Sequence, residues 1–193
     1  MRALLSLLLL LPLALSPGAV LALDVAQVPT AAEVANAYTA IPHPRTQFDA
    51  SSSTAAAAQK ANLARLFAYT DRGVVLRVQG MQAHGAKDAA GVKRAVAGYE
   101  GLIADLRKEQ FSAEVAPAQV LVVEALQLPQ RHLQSRPEGG LVFVGRQIST
   151  VPDVKEASGK LSRAYRILMS TFPGEPERNK TSFYNHLCAL DFL

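Results

Sequence analysis

Tryptophan is absent and cysteine occurs once among 193 residues, and aromatic side chains make up only 6% of the chain. The single Cys188 excludes an intrachain disulfide framework, because no bridge can close. It also excludes a c-type haem attachment and a thioredoxin-like pair, both of which need two cysteines close in sequence. Charge is sparse as well: 19% of the residues are charged and the net balance is +4. A nucleic-acid binder needs a concentrated basic face, and none is present. Over residues 59–111, nine basic and five acidic side chains are interspersed among apolar positions, the pattern of a solvated helical surface. Catalytic signatures are missing too. There is no HExxH, GxSxG or SxxK, no phosphate-cradling glycine loop and no dinucleotide fingerprint.

What is present starts with a leader. Residues 1–22 combine Arg2, an apolar run from Leu4 through Leu11 and beyond, a break at Pro17-Gly18 and a closing Val20-Leu21-Ala22. This is the pattern of a secretory signal cleaved before Leu23, so the chain is expected in a periplasmic or extracellular space. No later stretch reaches the roughly 18 apolar residues of a spanning helix, so no stable membrane insertion is expected after cleavage.

Residues 23–54 read as a short helix and an extended loop, and 55–193 as the bundle to which they belong. Thr30 and Glu33 have capping-box spacing, and Val34, Ala37 and Tyr38 then form a brief stripe over 31–39. Pro42 and Pro44 end it, and residues 41–54 form a loop long enough to pack across the surface or to line a site. A helix over 55–83, capped by Ser53 or Thr54, carries Leu63, Leu66, Phe67, Thr70, Val74, Val78 and Met81 on one stripe. Its Val74-to-Val78 segment has strand propensity, but the stripe keeps its phase through it.

His84-Gly85 marks a turn, and Asp88 starts a second helix over 88–110 with Val92, Val96, Tyr99, Ile103 and Leu106 inward. Gly91, Gly98 and Gly101 are costly in a helix unless they let neighbouring backbones approach. A third helical region runs from Pro117 to Leu128. Pro129 kinks or ends it, 130–135 continue it in part, and 136–140 turn. The Leu141-to-Val144 run is expected as a packed helical turn, with a strand pairing to 74–78 as the competing arrangement. A helix after Pro152 ends at Pro173-Gly174, and Pro176 opens a last one carrying Phe183, Leu187 and Leu190 into a docked C-terminus. These elements predict an all-α protein, an up-and-down bundle of four to six helices.

Candidate functional residues are few. Arg77 interrupts the apolar stripe between Val74 and Met81. It either snorkels to the bundle edge, the preferred reading, or is enclosed with Glu124 as its counter-charge. Glu124, Gln127 and Arg131 form a polar stripe at steps of three and four, read first as a solvated face. On an enzymatic reading Glu124 is a general base and Arg131 an oxyanion or carboxylate clamp, in a hydrolase-like cleft that also needs a histidine. Met81 and His84 share a face at a step of three and are weak candidates for a metal or haem position, with His132 or His186 supplied by a neighbouring helix. The bland reading is a core methionine beside a helix-end histidine.

Cys188 reads as a buried structural thiol, since His186 two positions away lies on another side of a helix. Asn179-Lys180-Thr181 fits a glycosylation acceptor. No cofactor is expected. The expectation for function is therefore an exported, non-enzymatic binding or structural protein whose partner is an unknown protein or small ligand. Its contact surface should involve the 41–54 loop.

Overall fold

A computed structural model of the protein describes residues 28–41, 44–138 and 151–191. The leader, His43 and the Leu141-to-Val144 run lie outside the described residues. Six helices make up the described chain: α1 (Ala31–Thr39), α2 (Ala57–Gly85), α3 (Ala89–Lys108), α4 (Ala116–Ser135), α5 (Pro152–Thr171) and α6 (Glu177–Cys188). Each packs chiefly on its neighbour in sequence, and α2 also meets α4 and α6, so the architecture is an all-helical up-and-down bundle. None of the described helices is long and apolar enough to cross a membrane.

The core runs the length of α2. Leu63, Leu66, Phe67 and Val74 meet Tyr99, Leu102 and Leu106 of α3, Val122 and Leu126 of α4, Leu168 of α5 and Phe183 of α6. Segment 74–78 is helical, as the phase of its stripe requires. Pro129 lies inside α4, which continues to Ser135. What the α3 glycines admit is side chain rather than backbone. A Cβ at Gly98 would collide with Leu76 Cδ2, so the glycine makes room for a leucine.

Two boundaries differ from expectation. Helix α2 starts at Ala57 without a side-chain cap from Ser53 or Thr54. Gln59 Oε1 accepts from Ala56 N at 3.0 Å, and the chain leading in is held by the remote Glu175, whose Oε1 accepts from Thr54 N at 3.0 Å and Ala55 N at 3.1 Å. A carboxylate at this end also suits the helix dipole.

The turn after α2 falls beyond Gly85. Lys87 takes the left-handed conformation with φ 56°, and Asp88 N donates back to Ala83 O at 2.8 Å, a Schellman closure with lysine in the usual glycine place. Asp88 then caps α3 by accepting from Gly91 N at 2.9 Å. That double use of Asp88 explains why the turn sits at 86–88 rather than at the glycine.

Candidate functional site

One buried polar cluster is built around Asp71. Its position on α2, four residues after Phe67 and three before Val74, places it on the buried face. Three donors from three other elements converge there. Tyr38 of α1 donates its hydroxyl to Oδ1 at 3.0 Å, Arg45 of the 44–56 strap donates Nη2 to Oδ2 at 2.6 Å, and His186 of α6 brings Nδ1 to 3.1 Å from Oδ1. Burial alone would push the Asp71 carboxyl up, but the His186 and Arg45 interactions outweigh it and hold the carboxyl below its ordinary value. The Tyr38 phenol is pushed up, first by burial and then by Asp71.

The neighbours of His186 fix its tautomer. Tyr38 Oη and Thr70 Oγ1 each lie 3.4 Å from Nδ1. The Tyr38 proton goes to Asp71, and the Thr70 proton goes to Phe67 O at 2.8 Å. Every group facing Nδ1 therefore accepts, so Nδ1 carries a hydrogen whether or not the ring is charged. The Asp–His orientation is the one a general base uses. Here, however, the imidazole is 3% exposed and stacks on Phe67 at 4.7 Å, so the pair acts as a clamp between α2 and α6.

Tyr38 and Arg45 also border a surface hollow of about 670 Å³ that is broadly open to solvent. Ala35, Tyr38 and Thr39 of α1, residues 44–47 and Arg178 of α6 line it. The strap is fixed at both ends of this wall. Arg45 lies over the Tyr38 ring at 5.5 Å, and Asn185 donates to Thr46 Oγ1 at 2.8 Å. Further on, Phe48 enters the aromatic core beside Phe67 and Phe183, and Glu175 binds Ser53 Oγ at 2.6 Å. In its described residues the loop packs against the bundle and borders this opening.

The residues singled out in the sequence are dispersed. Arg77 is 5% exposed, which overturns snorkelling. Its Nη1 donates to Ala189 O at 2.6 Å, and Asp191 is close enough to act on its charge. Glu124 is not its counter-charge, because Glu124 accepts from Lys160 of α5 at 2.7 Å. Arg131 reaches Asp153 of α5 at 3.9 Å, and Gln127 lies half-buried between them on α4. Glu124 and Arg131 are about 10 Å apart along the helix, and both face the α4–α5 seam instead of a cleft shared with a histidine.

His84 and His132 do meet, with ring centroids 6.4 Å apart, both buried. His186 belongs to the Asp71 cluster instead. Met81 packs against Val151 and Val154. Among the described residues no group of three or more histidine, cysteine or carboxylate side chains is placed to hold a metal ion.

Cys188 is half-buried rather than buried. Burial raises its thiol, against a hydrogen bond from Tyr184, so it is a poor nucleophile. Asn179 is fully buried, with Nδ2 donating to Glu175 Oε2 at 2.7 Å and Asp49 O at 3.0 Å. That commitment removes it as a glycosylation acceptor. Sequence reasoning missed Asp71, although a carboxylate at a stripe position carried the same signal that drew attention to Arg77. No family model, curated protein or solved structure matches the chain.

Proposed function

We propose that the chain is an exported, non-enzymatic binding protein that holds a small ligand in the cavity between α1, residues 44–47 and the start of α6. The leader over residues 1–22 supports export, and cleavage before Leu23 delivers the bundle to a periplasmic or extracellular space. One observation carries the binding reading: the Asp71 clamp ties α1, the strap and α6 to α2 and leaves an open hollow of about 670 Å³ beside them. That volume falls within the range of about 300–1,000 Å³ typical of small-molecule sites. Among the described residues, the histidine beside the opening is His186, which is stacked and enclosed, so the site is better suited to holding a ligand than to transforming one.

Amide and side-chain NMR of the mature protein tests this, with a mixed library of neutral, cationic and anionic fragments. Shifts confined to Tyr38, residues 44–47 and Arg178 support the reading. A library that perturbs no residue of this cavity sinks it. Mass spectrometry of exported protein, with an N-terminus at Leu23, tests the leader separately.

A further inference from the structure

Resting on the binding reading above, we infer that the ligand is an organic anion, a carboxylate or phosphate monoester, held by Arg178 with Arg45 and Thr46 as positioned donors. Among the described residues the lining contains two arginines and no aspartate or glutamate. Arg178 is exposed on the first turn of α6 and has no ion-pair partner among the described residues, so its charge is available to whatever enters. Arg45 is held differently. Nη2 is spent on Asp71, which fixes the guanidinium plane against Tyr38, while Nε is buried with no partner among the described residues.

Of the neutral groups, Thr46 adds to the same bias. Its Oγ1 already accepts from Asn185, so it has its own proton left to donate. Thr39 Oγ1 donates to Asn36 O at 2.7 Å and the Tyr38 proton goes to Asp71, so these two oxygens can only accept. The donors are therefore Arg178, Arg45 and Thr46, and the anion assignment rests on them. Planar carboxylates and phosphate oxygens are the acceptors that arginine forks match. A site of this volume has room for an organic body beyond the anionic head.

The probes are benzoate, citrate and phenyl phosphate, against benzamide, phenol and spermidine, titrated by NMR at constant ionic strength. The expected result is saturable binding of the anions alone at Tyr38 and residues 44–47. Arg178→Glu should weaken it about ten- to hundredfold, the scale of one charge-assisted hydrogen bond. Arg178→Lys should keep most of it, and Arg163→Glu, an exposed arginine on α5, should leave it unchanged.

A preference for phenyl phosphate over the carboxylates assigns the phosphate arm, and the reverse assigns the carboxylate arm. Neutral or cationic probes binding the cavity as well as the anions would overturn the anion assignment and leave the binding reading standing. Equal weakening by Arg163→Glu also overturns it, since that reports surface charge alone. No probe of any charge shifting the cavity residues overturns both.

Discussion

Both halves of α2 pack on α3, but the first half also meets α1, the 44–56 strap and α6 and buries Asn62, Thr70 and Asp71 beside Leu63, Leu66 and Phe67, whereas the second half packs on α4 through Gly73 and Gly80 and buries Val74, Val75 and Val78. The difference follows from what each neighbour offers. A helix flank has already paired its backbone groups internally, so it can only present side chains to a partner. Loops and helix ends carry unpaired N–H and C=O groups that can satisfy a buried polar side chain, whereas Asp71 is met by the polar side chains of Tyr38, Arg45 and His186. Asn62 accordingly accepts from Ser112 N in the α3–α4 connection at 3.2 Å. The second half buries two polar side chains, Arg77 and His84, and Arg77 obeys the same rule: it donates to Ala189, the residue that ends α6.

Breaking the polar half should have the largest effect. Asp71→Ala strands Arg45 and His186 and is expected to cost about 3–5 kcal/mol in denaturant unfolding. The same carboxyl gives a pH test. Its folded value lies below the unfolded value of about 3.9, so folding favours the ionised form. Its stabilisation is complete above about pH 4 and is lost as pH falls through the lower folded value. Asp71→Asn should remove that share of acid destabilisation, and an unchanged acid profile would contradict the clamp.

The apolar half should break by overpacking. Gly98→Val drives side-chain carbons into Leu76 and is expected to cost about 1–3 kcal/mol, measured the same way. The seam between α4 and α5 should matter less. Glu124→Ala removes a partly exposed pair with Lys160 and should cost below about 1 kcal/mol. Combined with Arg77→Met it should be additive within about 0.5 kcal/mol, because the two residues serve different partners. The smallest effect has the opposite sign. Lys87→Gly relieves a left-handed lysine and should stabilise by up to about 1 kcal/mol.

The same contrast explains what was legible in the sequence. The helices were, because their stripes are local: Leu63 through Val78 keep one phase, and Thr30 with Glu33 forms the capping box that starts α1. The loop's importance was visible from its length. The partners of the buried polar groups were not, since nothing near Asp71 in sequence names Tyr38 or His186, and nothing near Arg77 names the carbonyl of Ala189. Spacing of three and four reveals which residues share a face, but not what stands opposite. Glu124 was matched to Arg77 on charge alone, while Lys160 stood closer. Asn179 illustrates the same limit, because a surface motif lost its meaning once its side chain proved to be buried.

The Glu175 carboxylate has a consequence for the order of folding. It lies 121 positions downstream of the Thr54 backbone it receives. Helical turns form within about a microsecond from local contacts, so α2 can wind early around Leu63, Leu66 and Phe67. The entry to that helix cannot be pinned until the corner between α5 and α6 has been made, a closure across most of the chain. The longest helix can therefore wind, with Gln59 as its local cap, before the chain leading into it is fixed.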